Sequence, residues 1–175
     1  MSDVNATAAA LLGLLVGGPM TGGQLVAAAG ERFGSVFSVT RSQVYRELPA
    51  LADAGLVRLG KQGPRSSQQY VITPAGKKAF KAWLAGSAGS GATSSDHLRS
   101  PLLLRLLHAG SLTANQRTKL VRAGREAYAE RLDAARAAAK TQDDPYAKAV
   151  ADFVVAHTKA VQKLLDAVDN YPRSV

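Results

Sequence analysis

The sequence contains no cysteine among its 175 residues, and histidine and aromatic residues are also scarce. The absence of cysteine excludes disulfides, thiolate metal sites and cysteine nucleophiles. The three histidines, His97, His108 and His157, lie far apart, and none is paired with a carboxylate at metal-ligand spacing. No Ser/His/Asp order, carboxylate pair or cofactor loop stands out. The sequence therefore predicts a protein that is not an enzyme and that uses neither a metal nor a cofactor.

The sequence also lacks a long apolar run at its N-terminal end. The stretch "ATAAALLGLLVGG" is well short of the roughly 20 apolar residues that a membrane-spanning helix needs. Asp3 precedes it and no Lys or Arg does, which is not typical of a signal peptide. We expect a buried first helix that ends at Gly17 and Gly18, in a cytoplasmic protein with no membrane partner.

Acidic residues are outnumbered in this chain. There are 13 Asp and Glu against 22 Lys and Arg, which gives a net charge of +9 at pH 7. The imbalance favours a polyanion as the partner, although a basic composition can also serve solubility alone. The acidic residues concentrate in the second half of the chain, so the first half has the cleaner excess of positive charge.

A second helix is predicted between Thr21 and Gly34, and a third begins at Thr40. Thr40 and Gln43 form a T-x-x-Q capping box, in which each side chain satisfies a free backbone amide at the helix start. At about 100° per residue, the apolar side of the third helix collects Val44, Tyr45, Leu48, Leu51 and Ala52. The opposite side carries Ser42, Gln43, Arg46 and Ala50. This side is either a solvated helix face or a surface that reads DNA, since Arg and Gln can bond base edges.

Two strand-like runs, "GLVRLG" and "QQYVITP", follow the third helix and are joined by a basic segment, "KQGPRSSQ". Leu56, Val57 and Leu59 are among their apolar positions. Three short helices followed by a hairpin make a winged helix-turn-helix, in which the third helix enters the major groove. Lys61 and Arg65 at the hairpin tip would then contact phosphates or a minor groove.

Three segments together resemble the winged-helix domain of the PadR family of bacterial transcriptional regulators. They are "LLGLLVGGPMTGGQL", "ERFGSVFSVTRSQVYRELPALADAGLV" and "SSQQYVITPAGKKAFKAWL", and the resemblance covers about residues 8–85. It implies that Gln43 and Tyr45 begin the recognition helix and that Gly55 closes it. The chain departs from the family pattern at Gly23, Arg46 and Pro49.

The resemblance implies DNA-binding roles for residues of the third helix and the wing. Base edges would be read by Ser42, Gln43 and Arg46, whereas Arg41, Tyr45, Lys61 and Arg65 would hold phosphates, with Thr40 capping the helix. Arg46 replaces the proline usual in the family, so the operator sequence cannot be inherited from relatives. Pro49 lacks an amide for the Tyr45 carbonyl, and we expect a bend near Leu48.

Thr73 and Pro74 begin a fourth helix, which carries Phe80, Trp83 and Leu84. A Gly/Ser-rich segment follows, in which no Gly-Lys-Ser/Thr motif supports a phosphate loop. We predict a mainly α fold with a small β-hairpin wing. Its parts are a winged-helix DNA-binding domain over 1–85, a linker over 86–95 and a helical dimerisation domain over 96–175.

The C-terminal region is predicted to contain a helix from Pro101, a long helix from the Thr113 capping box to about Lys140, and a last helix from Asp144. In the last helix, alternating spacings of four and three form an apolar seam of Val150, Val154, His157, Val161, Leu164 and Val168. Periodicity alone leaves open whether the partner helix lies in the same chain or in a second copy. The PadR resemblance favours a homodimer, to which Leu103, Leu106 and Leu107 would also contribute.

The sequence thus favours a homodimeric regulator of transcription, a repressor by resemblance, that binds a palindromic operator in double-stranded DNA. Some PadR-like proteins bind flat aromatic compounds between subunits, so a small aromatic effector would contact Trp83, with Phe153 and Tyr128 as further aromatic candidates. The other interpretation of these aromatics is ordinary core packing. The alternative function is a helical protein-interaction module on a winged-helix scaffold that no longer binds DNA.

Overall fold

The structure, a computed structural model, describes residues 4–34, 36–62, 67–86 and 100–170. Two compact units are present, one within Met1–Ser95 and the other within Asp96–Val175. The predicted linker at 86–95 lies outside the described residues except for Gly86. The predicted fold class is confirmed, because the described residues are mostly helical with one small antiparallel sheet.

The described residues of the first unit form four helices and three short strands. In chain order these are α1 (Ala6–Leu15), β1 (Met20–Thr21), α2 (Gly22–Phe33), α3 (Arg41–Asp53), β2 (Val57–Gln62), β3 (Gln68–Ile72) and α4 (Pro74–Ala85). Side-chain caps start every helix: Asn5 caps α1, Thr21 caps α2, Thr40 caps α3 and Thr73 caps α4. Each cap oxygen accepts a hydrogen bond from a backbone amide that has no partner within its helix.

The core of the first unit forms around α1, which is apolar almost all round. Leu11, Leu12 and Leu15 are completely or almost completely buried. Leu25 of α2 and Val44 of α3 are also fully buried and belong to the same cluster. The helix that resembled a signal-peptide core therefore forms the centre of the winged-helix unit.

The sheet has the strand order β1-β3-β2, and both pairings are antiparallel. The sequence predicted only the β2–β3 hairpin and missed β1, because two residues are too few to show alternation. Met20 pairs with Tyr70, which joins the start of α2 to the wing. Leu59, expected among the apolar positions of the strand, is instead exposed to solvent.

The junction between α3, β2 and α4 is unusually close. Gly55 adopts a left-handed φ of 68°, which turns the chain from α3 into β2. The Thr73 hydroxyl donates to the Gly55 carbonyl at 2.7 Å and accepts from the Gly76 amide at 3.0 Å. A Cβ on Gly76 would overlap the Leu56 carbonyl oxygen, so only glycine allows α4 to approach this turn.

The second unit consists of α5 (Pro101–Leu107), a 3-10 turn (Ala109–Ser111), α6 (Ala114–Lys140) and α7 (Pro145–Asp169). The Thr113 and Gln116 side chains form the predicted capping box of α6, and Asp144 caps α7. The two long helices are antiparallel, and Val121 and Tyr128 of α6 pack with Val161 and Leu165 of α7.

Arg125 of α6 bonds both Asp166 and Asp169 of α7, at 2.9 Å and 2.8 Å. These hydrogen bonds, first that to Asp166, raise the pKa of the Arg125 guanidinium above its usual value. The antiparallel pair therefore has an apolar seam flanked by an exposed ion-pair cluster.

Replacing Gly76 by Ala should destabilise the first unit by about 1 to 3 kcal/mol, because the new methyl group collides with the Leu56 carbonyl. Gly30 of α2 is the matched control: a Cβ there meets open space, so Gly30→Ala should add roughly 0.5 to 1 kcal/mol of stability. Trp83, the one tryptophan of the chain, lies in α4 and reports urea unfolding of this unit by fluorescence. Equal urea midpoints for the two variants would contradict the close approach of Gly76 to the Leu56 carbonyl.

Candidate nucleic-acid interface

The exposed side of α3 has the chemistry expected for the candidate site. Val44, Leu48 and Leu51 are buried in the core. Opposite them, the sequence-predicted residues Thr40, Arg41, Ser42, Tyr45 and Arg46 are exposed, and Gln43 is partly exposed. The packing of α3 thus presents five of the six recognition-helix candidates to solvent. We refer to the surface formed by residues 40–43, 45 and 46 as the α3 face.

The start of α3 is held by the predicted capping box. The Thr40 hydroxyl accepts from the Gln43 amide at 3.2 Å, and the Gln43 side-chain oxygen accepts from the Thr40 amide at 2.8 Å. That oxygen also accepts from the Thr40 hydroxyl at 3.0 Å. While the box persists, Gln43 can offer a partner only its NH₂ group. Bidentate bonding to adenine, which needs a donor and an acceptor, would require the box to open.

Tyr45 does not take the place that helical periodicity gave it. Its side chain was grouped with the apolar side but is 46% exposed. The Arg41 guanidinium lies over its ring, 5.5 Å from the centroid, which is a cation–π arrangement. The ring also lies against Gly22, where an added Cβ would come to 3.0 Å from it. Gly22 at the start of α2 is therefore a supporting residue that the sequence did not reveal.

Arg46 is a strongly exposed cation of the α3 face, with its side chain 71% exposed. Its guanidinium donates to the Glu47 carboxylate at 3.2 Å, and Glu47 is only 12% exposed. The other Glu47 oxygen accepts from the Asn5 side-chain amide, also at 3.2 Å. Neither Asn5 nor Glu47 was among the predicted site residues. Their hydrogen bond joins residues 42 positions apart, and spacing along the sequence does not reveal such a contact.

Pro49 lies inside α3, which is continuous from Arg41 to Asp53. The proline is exposed, so its ring is accommodated on the solvent side of the helix. The helix is therefore not broken there, and the expected bend near Leu48 stays a prediction.

The wing contributes a second set of polar and basic groups. Arg58 and Lys61 of β2 are exposed, and the β2–β3 register shifts between Leu59 and Gln62. The Gln68 side-chain amide spans this irregularity by donating to the Gly60 carbonyl at 2.9 Å. Arg65, predicted at the wing tip, lies outside the described residues. Exposed lysines also lie on α4, at positions 77, 78 and 81.

No group of His, Asp and Glu side chains that could hold a metal ion occurs in the described part of the chain. Within the same residues, none of the helices has the length and apolar character needed to cross a membrane.

The predicted dimerisation residues of α7 divide into two sets. Val161 is buried against α6, and Val168 packs against the same cluster, so their partner helix lies within this chain. Val150 and Leu164 are exposed, and His157 stacks with exposed Phe153 at 6.1 Å between ring centroids. On α5, Leu107 is 78% exposed, whereas Leu103 and Leu106 are partly buried, as is Val154 on α7.

The aromatic candidates for an effector site lie in different units. Trp83 is in α4 of the first unit and is 43% exposed. Tyr128 is buried in the α6–α7 core, as ordinary packing predicts, and its ring also faces Arg131 at 4.7 Å. Phe153 is exposed on α7.

Comparison with known proteins agrees with this geometry. Residues 11–82 match the Transcriptional regulator PadR-like family. The negative transcriptional regulator PadR of Bacillus subtilis (strain 168) is 35% identical over 78 residues, which span 43% of this chain and 43% of that protein. The chain thus aligns with less than half the length of this curated relative.

The structural likeness extends further along the chain. The crystal structure of Bacillus subtilis PadR in complex with operator DNA matches with a TM-score of 0.73 at 21% identity, over 91% of this chain and 94% of that one. The same regulator in complex with p-coumaric acid matches with a TM-score of 0.69 at 20% identity and the same coverage. The fold of both units is therefore that of PadR regulators, and the resemblance seen in the sequence is confirmed.

Proposed function

We propose that this chain, whose residues 11–82 match the Transcriptional regulator PadR-like family, is a sequence-specific DNA-binding regulator of transcription. The observation that carries the proposal is the α3 face, where a capped and deeply anchored helix exposes Arg41, Ser42 and Arg46. A helix of this kind, followed by a hairpin with exposed cations, fits the major groove and the flanking phosphates. DNA in the bacterial cytoplasm is the partner, and the family is one of regulators rather than enzymes.

Within this proposal, the residues of the α3 face and the wing divide into those that contact bases and those that contact phosphates. Arg46 and Ser42 read base edges, and Gln43 donates its NH₂ group to a base acceptor while its oxygen remains in the capping box. Arg41 and Tyr45 act as a stacked pair at the phosphate backbone. Lys61 and Arg65 of the wing supply sequence-independent attraction.

We further propose that two copies of the chain bind together. On α7 an exposed apolar stripe contains Tyr146, Val150, Phe153 and Leu164, and the partly buried His157 lies on the same side. The spacings of four, three, four and seven residues keep it on one side of the helix. It lies beside the face that packs on α6, so α7 can contact α6 and a second copy simultaneously. Leu103, Leu106 and Leu107 of α5 are the other candidates. A twofold dimer would place two α3 faces on a palindromic operator.

The regulator is proposed to act as a repressor that a small aromatic compound releases. The support is the curated relative, which is described as a negative regulator, and its structure with p-coumaric acid. In this chain the half-exposed Trp83 is the candidate contact.

The second candidate function is a protein-interaction module that does not bind DNA. The exposed leucines of α5 and the apolar stripe of α7 favour it, since such surfaces contact proteins. The two functions differ in their response to salt. DNA binding weakens steeply as salt rises, whereas an interaction module retains no specific DNA complex.

Arg46 and Lys61 test the division between base and phosphate contacts. Arg46→Ala should cost about 1 to 3 kcal/mol on a preferred duplex and relax sequence preference. Lys61→Ala should weaken preferred and scrambled duplexes alike and reduce the salt slope by about one. The measurement is fluorescence anisotropy at several salt concentrations, with duplexes selected by the wild-type chain from a random pool. Wild-type affinity in both variants would show that the interface lies elsewhere.

Phe153→Lys with Leu164→Lys tests the dimer. Two charges in the apolar stripe should convert the protein to a monomer of 18.3 kDa in sedimentation equilibrium, where the wild type should have twice that mass. Lys159→Ala, on another side of α7, is the matched control and should stay dimeric. A dimer that survives both lysines would exclude this stripe as the interface.

The effector proposal is tested by thermal shift with p-coumaric acid and a panel of other flat aromatic compounds. A compound that binds the folded state should raise the melting temperature with concentration, because binding stabilises by mass action. Trp83→Phe should weaken that shift. A flat response across the panel in the wild type would remove the role proposed for Trp83.

A further inference from the structure

The Glu47 carboxylate is held from both sides at the edge of the α3 face. One oxygen accepts from the Arg46 guanidinium and the other from the Asn5 side-chain amide, each at 3.2 Å. Asn5 is itself fixed, because its oxygen accepts from the Ala8 amide at 2.9 Å and caps α1. Continuous hydrogen bonds therefore lead from the cap of the largely buried helix α1 to the exposed Arg46 guanidinium of the α3 face.

We propose that Glu47 is a positioning residue that fixes the Arg46 guanidinium for base recognition. This inference rests on the proposed function of the α3 face. An arginine side chain has several rotatable bonds, and freezing them on DNA costs conformational entropy. A guanidinium that is already bonded to a partly buried carboxylate loses less conformational entropy when it binds DNA. Arginine has five N–H donors, so one bond to Glu47 leaves a pair free for a base acceptor.

The position of the carboxylate is what distinguishes this role from a chance surface ion pair. Exposed pairs between mobile side chains contribute little. Here the acidic partner is 12% exposed and is anchored by Asn5, the cap of α1, while the basic partner projects into solvent. A carboxylate beside a DNA-binding face repels phosphates unless it is paired. Both Glu47 oxygens accept hydrogen bonds in this structure, which reduces the repulsion of DNA phosphates and lets the carboxylate hold the Arg46 guanidinium.

Three variants separate the components of this arrangement. Glu47→Gln keeps the side-chain shape but removes the charge and one acceptor oxygen. Asn5→Ser keeps an oxygen that can cap α1 but loses the amide that holds Glu47. Asp53→Asn removes the same charge from the exposed far end of α3 and is the matched control.

The first measurement needs no DNA. Side-chain ¹⁵N relaxation of the Arg46 guanidinium in the free protein should show an ordered group in the wild type and in Asp53→Asn. The same group should become mobile in Glu47→Gln and, to a smaller degree, in Asn5→Ser. A guanidinium that is equally mobile in the wild type and in Glu47→Gln overturns the positioning role, whatever the protein does with DNA.

The second measurement is discrimination, defined as the ratio of dissociation constants for a scrambled duplex and for one selected by the wild-type chain. Glu47→Gln should lower this ratio by about two- to fivefold, on the scale of an exposed charge pair. In an Arg46→Ala background the same change should leave the ratio unaltered, because its target is absent. A loss of equal size in both backgrounds would overturn the inference and mark a general charge or folding effect.

The two measurements also separate this inference from the function on which it rests. If the wild type prefers no sequence, the proposed function fails and the recognition role of Glu47 fails with it. If the wild type is selective but the loss in Glu47→Gln does not depend on Arg46, only the role of Glu47 is excluded.

Discussion

The backbone amides at the start of α3 have no acceptor within the helix, and the whole candidate interface depends on how they are satisfied. Thr40 and Gln43 satisfy two of them reciprocally, each side chain accepting from the backbone amide of the other residue. The box fixes the residue at which the helix begins, and therefore the side of the helix on which each later side chain lies. It also commits the Gln43 oxygen, so the same residue that starts the helix has only a donor left for a base. The capping box that starts the helix therefore limits the hydrogen bonds that this face can make to a base.

Burial of the opposite side of α3 provides the second constraint. Val44, Leu48 and Leu51 lie in the core built around α1, so the helix cannot rotate without exposing them. Arg41, Tyr45 and Arg46 must then face solvent, and each has a contact that limits its freedom. Tyr45 lies close to both Arg41 and Gly22, while Arg46 is joined through Glu47 to Asn5. The interface is thus a surface whose side chains are ordered by the fold beneath it.

Features that depend on local sequence could be predicted, and those that depend on tertiary neighbours could not. The caps at Thr21, Thr40 and Thr113 follow from spacing alone, because donor and acceptor lie three residues apart. Periodicity correctly separated most of α3 into two sides but misplaced Tyr45, whose large ring packs on Gly22 while remaining half exposed.

The same limit applies to longer-range pairings. Strand β1 exists only because β3 pairs with it, and Asn5 meets Glu47 only after α1 and α3 pack. In α7, heptad spacing fits two adjacent stripes, and only packing on α6 shows which of them the chain itself buries.

Whether DNA binds at the α3 face can be measured by amide chemical-shift perturbation, which maps the contact surface residue by residue. A duplex selected by the wild-type chain is titrated into ¹⁵N-labelled protein. The largest shifts should occur at residues 41–46, with a second group at Arg58 and Lys61 on the wing. Shifts centred instead on the α4 lysines at 77, 78 and 81, with α3 unperturbed, would contradict binding at the α3 face.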